Sequence, residues 1–389
     1  MSAESVESGS RPPALVDRPP AWRFLLGAIA AAGSFRALVL AIIGLQLTAI
    51  GWAAIDRLSR DEPGATRRAM LGPRPTIERF EGRDALQGAL ARSVSAILDP
   101  IRVVSAPIGG VLTIDRGRLG PGRSSAAAFW ALAVWGVIGG GIGRLAVARL
   151  DPMREEVGAW SGVRFMGRRL RSLIAAPLGL LVGVGLLSLP SALIGLGMAF
   201  GGPGAEAIGS GLLVVPLLLA IPAALLVLLL VIGWPLMVLT VAVEGEDGFE
   251  SVSRTASYVR HRAGVLVGSI VLSVAAGAVG LVLVSQLARL VVHLVGWGLA
   301  IGGPEGVIAP GFAWSGAGMG SWPVGWDRWQ EGVGLVLHAW AFSYAWSAMA
   351  RIYVVLRGEV DGTPWPDLYR PEEDAEPFAP EPSPPPRSA

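Results

Sequence analysis

Three histidines, His261, His293 and His338, are the only imidazoles in a chain of 389 residues that contains no cysteine. Histidine can ligate a metal, shuttle protons or act as a general base, but each role needs a partner at a defined spacing. No His-x-x-x-His or His-Glu pair stands at ligand spacing, and without cysteine there are no thiolate sites. All 32 basic residues are arginine, which excludes a P-loop with its phosphate-binding lysine, a Schiff-base enzyme and a pyridoxal-phosphate site. No Gly-x-Ser-x-Gly nucleophile elbow occurs. The glycine-rich run 139–143 leads straight into Arg144 with no strand before it, so it fails the dinucleotide fingerprint.

The sequence thus assigns no catalytic, cofactor-binding or metal-ligating residue and requires no cofactor, and it leans away from an enzyme. What remains are Gln46, Arg289, His293, His338 and Arg351, polar groups in or beside long apolar runs. Ionisable groups in lipid either face a bundle interior or snorkel to the headgroups. Arg289 and Arg351 stand near run ends and are expected to snorkel. His293 and His338 are expected to approach one another in the outer half of the membrane.

The elements that position these residues follow from composition. Hydrophobic residues make up 52% of the chain, charged residues 16%, and the mean hydropathy is +0.55, whereas a soluble domain carries about 25% charged residues. The apolar residues come in long uncharged blocks. About 20 of them are needed to cross roughly 30 Å of hydrocarbon as a helix. Six blocks meet that length: 37–55, 124–143, 172–205, 207–243, 263–288 and 332–355. The expected fold is an all-α polytopic transmembrane helix bundle of about six spans with interfacial amphipathic helices. The net charge of +2 is small and the arginines border apolar blocks, so no nucleic-acid partner is expected.

Arginine in short connections orients the spans. Residues 144–171 carry seven arginines and 244–262 carry three, whereas 201–209 carries none and 301–331 only Arg328. Those two Arg-rich connections and both tails are therefore expected in the cytoplasm of a cell (inner) membrane. Five segments follow: a cytoplasmic tail with an interfacial helix (1–35), a first span (36–56), an extracytoplasmic loop (57–123), a five-span membrane domain (124–356) and a disordered Pro-rich cytoplasmic tail (357–389). The loop contains twelve arginines between 56 and 123, against the rule, but long loops translocate largely regardless of charge. Within it, 77–98 reads as an amphipathic helix ending before Pro100, and 101–114 as an apolar piece too short to span. At the N-terminus, the short apolar run 24–32 reads as an interfacial helix on the inner leaflet.

Small residues at a spacing of four let membrane helices approach closely. Gly136 with Gly140, Gly139 with Gly143, Gly179 with Gly183, and Ser269, Ser273 and Gly277 are read as bundle packing. Pro190, Pro216, Pro222 and Pro235 are read as kinks, with a broken transporter helix as the alternative. Trp297, Trp314, Trp322, Trp326 and Trp329 read as an interfacial belt.

The connection 244–264 holds the densest pattern. Asp247 and Glu250 form a capping box, Phe249, Val252, Ala256 and Val259 recur at helical spacing, and Glu250 pairs with Arg254. A short amphipathic helix along the inner leaflet follows, with Arg254, Arg260 and Arg262 toward anionic phospholipid headgroups. In 144–171, Trp160, Val163, Gly167 and Leu170 form a second amphipathic stripe beside mixed charges. The acidic-Gly start, the Phe-Glu-Ser step, Ser-Arg-Thr and Tyr-Val-Arg resemble a motif of uncharacterised bacterial multi-pass membrane families. The segment is similar to the membrane region joined to glycerophosphodiester phosphodiesterases. The phosphodiesterase catalytic domain has no counterpart here, so the resemblance implies fold and membrane placement alone.

The functional expectation is a non-enzymatic assembly, organising or accessory component. A transporter or channel is the alternative, and a lipid-acting enzyme the third reading. The expected partners are the lipid bilayer, anionic phospholipid headgroups, and a protein partner or a second copy of the chain.

Overall fold

The computed structural model describes residues 20–60, 62, 64–70, 85–112, 120–150, 157–202, 209–302 and 326–362. They are helical almost throughout, with no strand among them. The elements are α1 (Ala21–Leu26), α2 (Ala28–Ala32), α3 (Phe35–Leu58), α4 (Ala65–Met70), α5 (Ala85–Leu112), α6 (Pro121–Ala148), α7 (Ala159–Arg168), α8 (Leu170–Phe200), α9 (Val214–Glu244), α10 (Gly248–Gly302) and α11 (Trp326–Val360). Non-helical backbone at Arg262 divides α10 into an arm before it and a long apolar helix after it. The Pro-rich tail from 363 onward, Trp314 and Trp322 lie outside the described residues.

Six helices are long and apolar enough to cross a membrane: Phe35–Leu58, Leu86–Leu112, Gly122–Ala148, Leu170–Phe200, Gly209–Glu244 and Gly248–Val295. The molecule is an all-α polytopic helical bundle. Five of these hold expected spans, and the sixth, Leu86–Leu112, falls in what was expected to be a loop. Residues 85–112 were expected as two short pieces separated at Pro100, whereas α5 runs unbroken through Pro100 and Pro107. A proline inside a helix removes one hydrogen bond and frees carbonyls in the preceding turn. Here Arg102 donates to the Ser95 carbonyl, one residue before the freed Ala96 carbonyl, at 3.3 Å. The sixth expected span, 332–355, lies in α11, which is long enough to cross but less apolar than the six.

α11 is the centre of the bundle. Leu337, His338, Ala339, Trp340, Ala341, Phe342, Ser343 and Tyr344 are all buried in succession, so this helix has no lipid face there. Glycines on its neighbours admit its aromatic rings: Trp346 lies on Gly139 of α6, Tyr344 on Gly277 of α10, and the Trp340 ring 2.8 Å from where a Cβ on Gly280 would stand. Gly140 and Gly143 likewise admit Met166 and Leu239. The small-residue spacings therefore serve packing within one chain. Gly179 meets nothing, while Gly183 sits against Leu226 of α9. α8 and α9 run through Pro177, Pro190, Pro222 and Pro235 as continuous helices, with Pro216 in the first turn of α9.

α1 and α2 are not confined to the leaflet surface. Phe24, Leu25, Ala28, Ala31 and Ala32 are buried, Ser343 of α11 donates to the Ala32 carbonyl at 3.0 Å, and Ile29 reaches Gly280 of α10. Alanines permit this close approach, which a run of larger side chains would prevent.

Candidate functional site

The polar groups of the bundle collect in three places. The first is the junction where α6, α9, the arm of α10 and α11 end or begin. Gly245 ends α9 in the left-handed region, with φ 73°, a conformation glycine adopts without Cβ strain. The exposed carbonyls of that end are taken by guanidinium groups: Arg144 donates to Ala242 O at 2.6 Å and Arg169 donates to Gly245 O. Cations there also oppose the negative end of the helix dipole. Both stack on the Phe165 ring, at 4.0 and 4.7 Å from its centroid. Three residues on, Gly248 starts the arm where a Cβ would fall 2.7 Å from the Ser172 carbonyl of α8.

The Glu244 carboxylate, with its side chain 7% exposed, is the hub of this junction. It accepts from Tyr353, from Arg254 and from Arg357 Nε at 3.2 Å. Arg254 also reaches Glu246 at 3.0 Å and Glu250 at 2.7 Å. Arg254, expected to face lipid headgroups, is instead the cation that ties the arm to the bundle. The capping box is as expected, with Asp247 accepting from the Glu250 amide at 2.9 Å. Farther along, Tyr258 donates to Asp361 at 2.7 Å and Arg262 meets Glu359 at 3.6 Å.

The second cluster joins α3, α4 and α6. Asp56 accepts from the Gly64 and Thr66 amides at 2.9 and 3.0 Å, from the Thr66 hydroxyl, and from Arg123 at 2.6 Å. Its side chain is 2% exposed and that of Arg123 is 10% exposed. Within α6, Arg123 and Arg144 bracket the apolar run twenty-one residues apart, or about 31 Å at 1.5 Å per residue. That matches the roughly 30 Å hydrocarbon layer, so the two clusters stand at opposite boundaries of the apolar slab.

The third lies between them. His338 Nε2 of α11 meets Asp99 Oδ2 of α5 at 3.0 Å, with side chains 3% and 1% exposed. Asp99 also faces Arg102 at 3.4 Å, and Arg102 donates to Ser95 Oγ at 2.6 Å. The His338 imidazole stands edge-on to Phe342 at 5.1 Å. Along α11 it is fifteen residues from Tyr353 at the hub, or about 22 Å, which places it toward the Asp56 boundary. Beside it is a small cavity lined by Gln46, Thr48, Trp52 and Arg67 among others. A buried carboxylate in an apolar bundle has lost its hydration and needs close hydrogen-bond partners to persist.

Of the five polar residues singled out by sequence, the structure thus brings Gln46 and His338 to one cavity. The partner found for His338 is Asp99, with His293 elsewhere on α10. Asp99 escaped notice because Asp-Pro reads as the end of a helix in a loop. Arg351 does not snorkel: it donates to the Phe24 carbonyl at 2.6 Å and stacks on the Phe24 ring, closing α1. Arg289 and His293 lie half-buried on the apolar part of α10. Among the described residues, no three His, Asp or Glu side chains converge as a metal site.

The surface at the Glu244 end is basic and aromatic. Trp22, Arg23, Trp160, Arg164, Arg168, Arg171, Phe249, Arg260 and Arg262 are exposed there. Two stripes are shifted from expectation. α7 buries Gly162 and Met166 while Trp160 is 67% exposed, and Phe249 on the arm is 84% exposed. In a short helix both an apolar and a polar edge satisfy the helical spacing, and the packed edge is chosen by the glycines of α6: Gly141 lies against Val163 and Gly140 against Met166. No protein-family model, curated protein or solved structure matches the chain.

Proposed function

We propose that this chain is a non-enzymatic, multi-pass component of the cell (inner) membrane that organises anionic phospholipid, and with it a partner protein, at the cytoplasmic leaflet. Both termini lie in the cytoplasm on this reading. One observation carries it, the exposed belt of Trp22, Trp160 and Phe249 interleaved with Arg23, Arg164, Arg168, Arg171 and Arg260. Aromatic rings settle at headgroup level, and each arginine near an anionic surface adds about 1 kcal/mol of attraction. The Glu244 hub holds the arm against the bundle, so the belt is fixed in place. The resemblance of 244–264 to the membrane region joined to glycerophosphodiester phosphodiesterases fits a lipid-facing role without a catalytic domain.

Native mass spectrometry of protein extracted in mild detergent tests this. Phosphatidylglycerol should be retained over phosphatidylcholine, and Arg164→Gln, Arg168→Gln, Arg171→Gln and Arg260→Gln together should reduce that preference several-fold. Equal retention of the two lipids would refute the reading. Transport is the second reading, favoured by the His338–Asp99 pair beside a cavity. Solute or proton flux in proteoliposomes that disappears in Asp99→Asn would replace the first reading with it.

A further inference from the structure

Residues 164–171 hold four guanidinium groups, those of Arg164, Arg168, Arg169 and Arg171. Arg169 alone turns inward, to the Gly245 carbonyl and the Phe165 ring. The other three are exposed, and none of them has a hydrogen bond or ion pair among the described residues. Their spacing belongs to one longer line. Trp160 precedes them by a turn, and Ala175, Leu178 and Val182 follow at steps of three and four residues, every one exposed. Residues three and four apart share a helix face, and the other face of α8 is buried through Leu173, Ala176, Leu180 and Val184.

The line bends with the chain. Val163 meets Gly141 of α6 and Met166 meets Gly140, so α7 advances three residues while its contact on α6 moves by one. α7 therefore lies across α6, close to Arg144, which stacks on Phe165. At Arg169, φ −102° and ψ 17° leave the helix for one residue, and α8 then runs beside α9. The arginines thus lie along the Glu244 boundary of the apolar slab, and the line from Ala175 onward enters the slab. Gly248 of the arm packs on Ala175 at that turn, and the next residue, Phe249, is 84% exposed.

Like charges one turn apart repel, so three unpaired guanidinium groups in line call for anions from outside the chain. At a membrane boundary those anions are lipid phosphates, which a guanidinium fork holds by two hydrogen bonds. One phosphate can bridge two neighbouring forks and leaves the third unmatched. Two phosphates joined in one headgroup match all three, with Arg168 shared between them. Below the arginines, Ala175 and Gly179 keep the exposed face of α8 low, and nothing stands within 4 Å of where a Cβ on Gly179 would be. We infer that this line binds diphosphatidylglycerol, the four-chain phospholipid with two phosphates. One phosphate lies between Arg164 and Arg168 and the other between Arg168 and Arg171, with acyl chains along Ala175, Leu178, Gly179 and Val182. The inference rests on the lipid-organising reading above and names its lipid.

Native mass spectrometry of the full chain in mild detergent tests this, with diphosphatidylglycerol competing against twice its molar amount of phosphatidylglycerol, so that phosphates and acyl chains are equal. One diphosphatidylglycerol should be retained several-fold over a pair of phosphatidylglycerols. Arg164→Gln, Arg168→Gln and Arg171→Gln together should abolish that preference, whereas Arg23→Gln with Arg260→Gln, elsewhere on the belt, should leave it intact. Arg168→Lys keeps the charge and loses the fork, and should lower the preference several-fold. Gel-filtration profile and melting temperature at wild-type values show the variants folded. If the triple variant fails that control, the wild-type competition and Arg168→Lys decide. Phosphatidylglycerol retained over phosphatidylcholine, with diphosphatidylglycerol no better than the pair, overturns the inference and leaves the lipid-organising reading standing. Neither anionic lipid retained over phosphatidylcholine overturns both. A preference that survives in the folded triple variant, is unchanged in Arg168→Lys, or is lost with Arg23 and Arg260 also overturns the inference.

Discussion

Replacing Glu244 by alanine removes the acceptor on which three elements converge. Its three donors do not suffer equally. Arg254 is 31% exposed and keeps Glu246 at 3.0 Å and Glu250 at 2.7 Å, so other carboxylates and water absorb most of its loss. Tyr353 is fully buried, and a buried hydroxyl stripped of its acceptor costs about 1–3 kcal/mol. Arg357, 17% exposed, loses its described carboxylate partner and already has one unpartnered nitrogen, Nη1. Orphaning a fully buried ion costs about 3–5 kcal/mol, and partial exposure puts Arg357 at or below the bottom of that range. The sum is roughly 3–5 kcal/mol, because one carboxylate serves both groups and the losses overlap.

Glu244→Gln retains an acceptor but no charge and should lose about half as much. Reversible unfolding in mixed micelles gives the free energies, and a double-mutant cycle with Arg357→Ala should return a coupling of about 1–3 kcal/mol. Protease cleavage in the arm should also rise, because the hub is one of the contacts that hold the arm to α11, beside Tyr258–Asp361 and Arg262–Glu359. A Glu244→Ala protein within about 0.5 kcal/mol of wild type, the scatter of ordinary surface substitutions, would refute the assignment of Glu244 as the hub.

Three further outcomes are expected. The chain has no cysteine, so single cysteines report topology without background: Ser161→Cys should react with an impermeant maleimide only from the cytoplasmic side and Ser59→Cys only from outside, and labelling of both from one side would reject the proposed orientation. Asp99→Ala should cost about 1–3 kcal/mol by leaving the buried His338 ring without its hydrogen-bond partner, and the same unfolding titration would count against that contact if the loss were below about 0.5 kcal/mol. Gly44→Ala should cost roughly 1–3 kcal/mol, because its Cβ would stand 2.9 Å from the Trp135 ring and 3.1 Å from Ile138, whereas Gly179→Ala, with nothing within 4 Å, should be near neutral. Equal stability of those two variants would show that α3 and α6 are not packed as described.

Much of this architecture could be read from residue order, and the exceptions share a cause. The uncharged blocks 37–55, 124–143 and 263–288 fall within long helices, and the helices Leu170–Phe200 and Gly209–Glu244 take up most of the blocks 172–205 and 207–243, because hydropathy reports directly on contact with hydrocarbon. The capping box at Asp247 and the pairing of Glu250 with Arg254 were legible because they are local, three and four residues apart. Three-dimensional pairing was not. Nothing in the neighbourhood of Asp99 announces His338, 239 residues away, and nothing around Arg351 announces the Phe24 carbonyl, 327 residues away. Pro100 misled for a related reason. Its local effect is to end a helix, whereas α5 continues through it because packing against α6 and α10 outweighs one lost hydrogen bond.

The distribution of hydropathy over the bundle argues for its solvent more strongly than the total does. In a protein folded by water the most apolar helix should be the most buried. Here the order is reversed: the most apolar candidate span, Gly209–Glu244, has 11% of its apolar window buried, and the less apolar Gly122–Ala148 has 72%. Leu212, Leu217, Leu218, Ile221 and Leu225 stand exposed along that helix, while α11, with its histidine, serines, tyrosines and tryptophans, fills the centre. In hydrocarbon no force drives leucine inward, and every unpaired polar group must be turned toward the protein. That single rule accounts for the leucine-rich α9 outside, for the polar α11 inside, and for why a search by hydropathy finds the helices that touch lipid before the one on which the bundle is built.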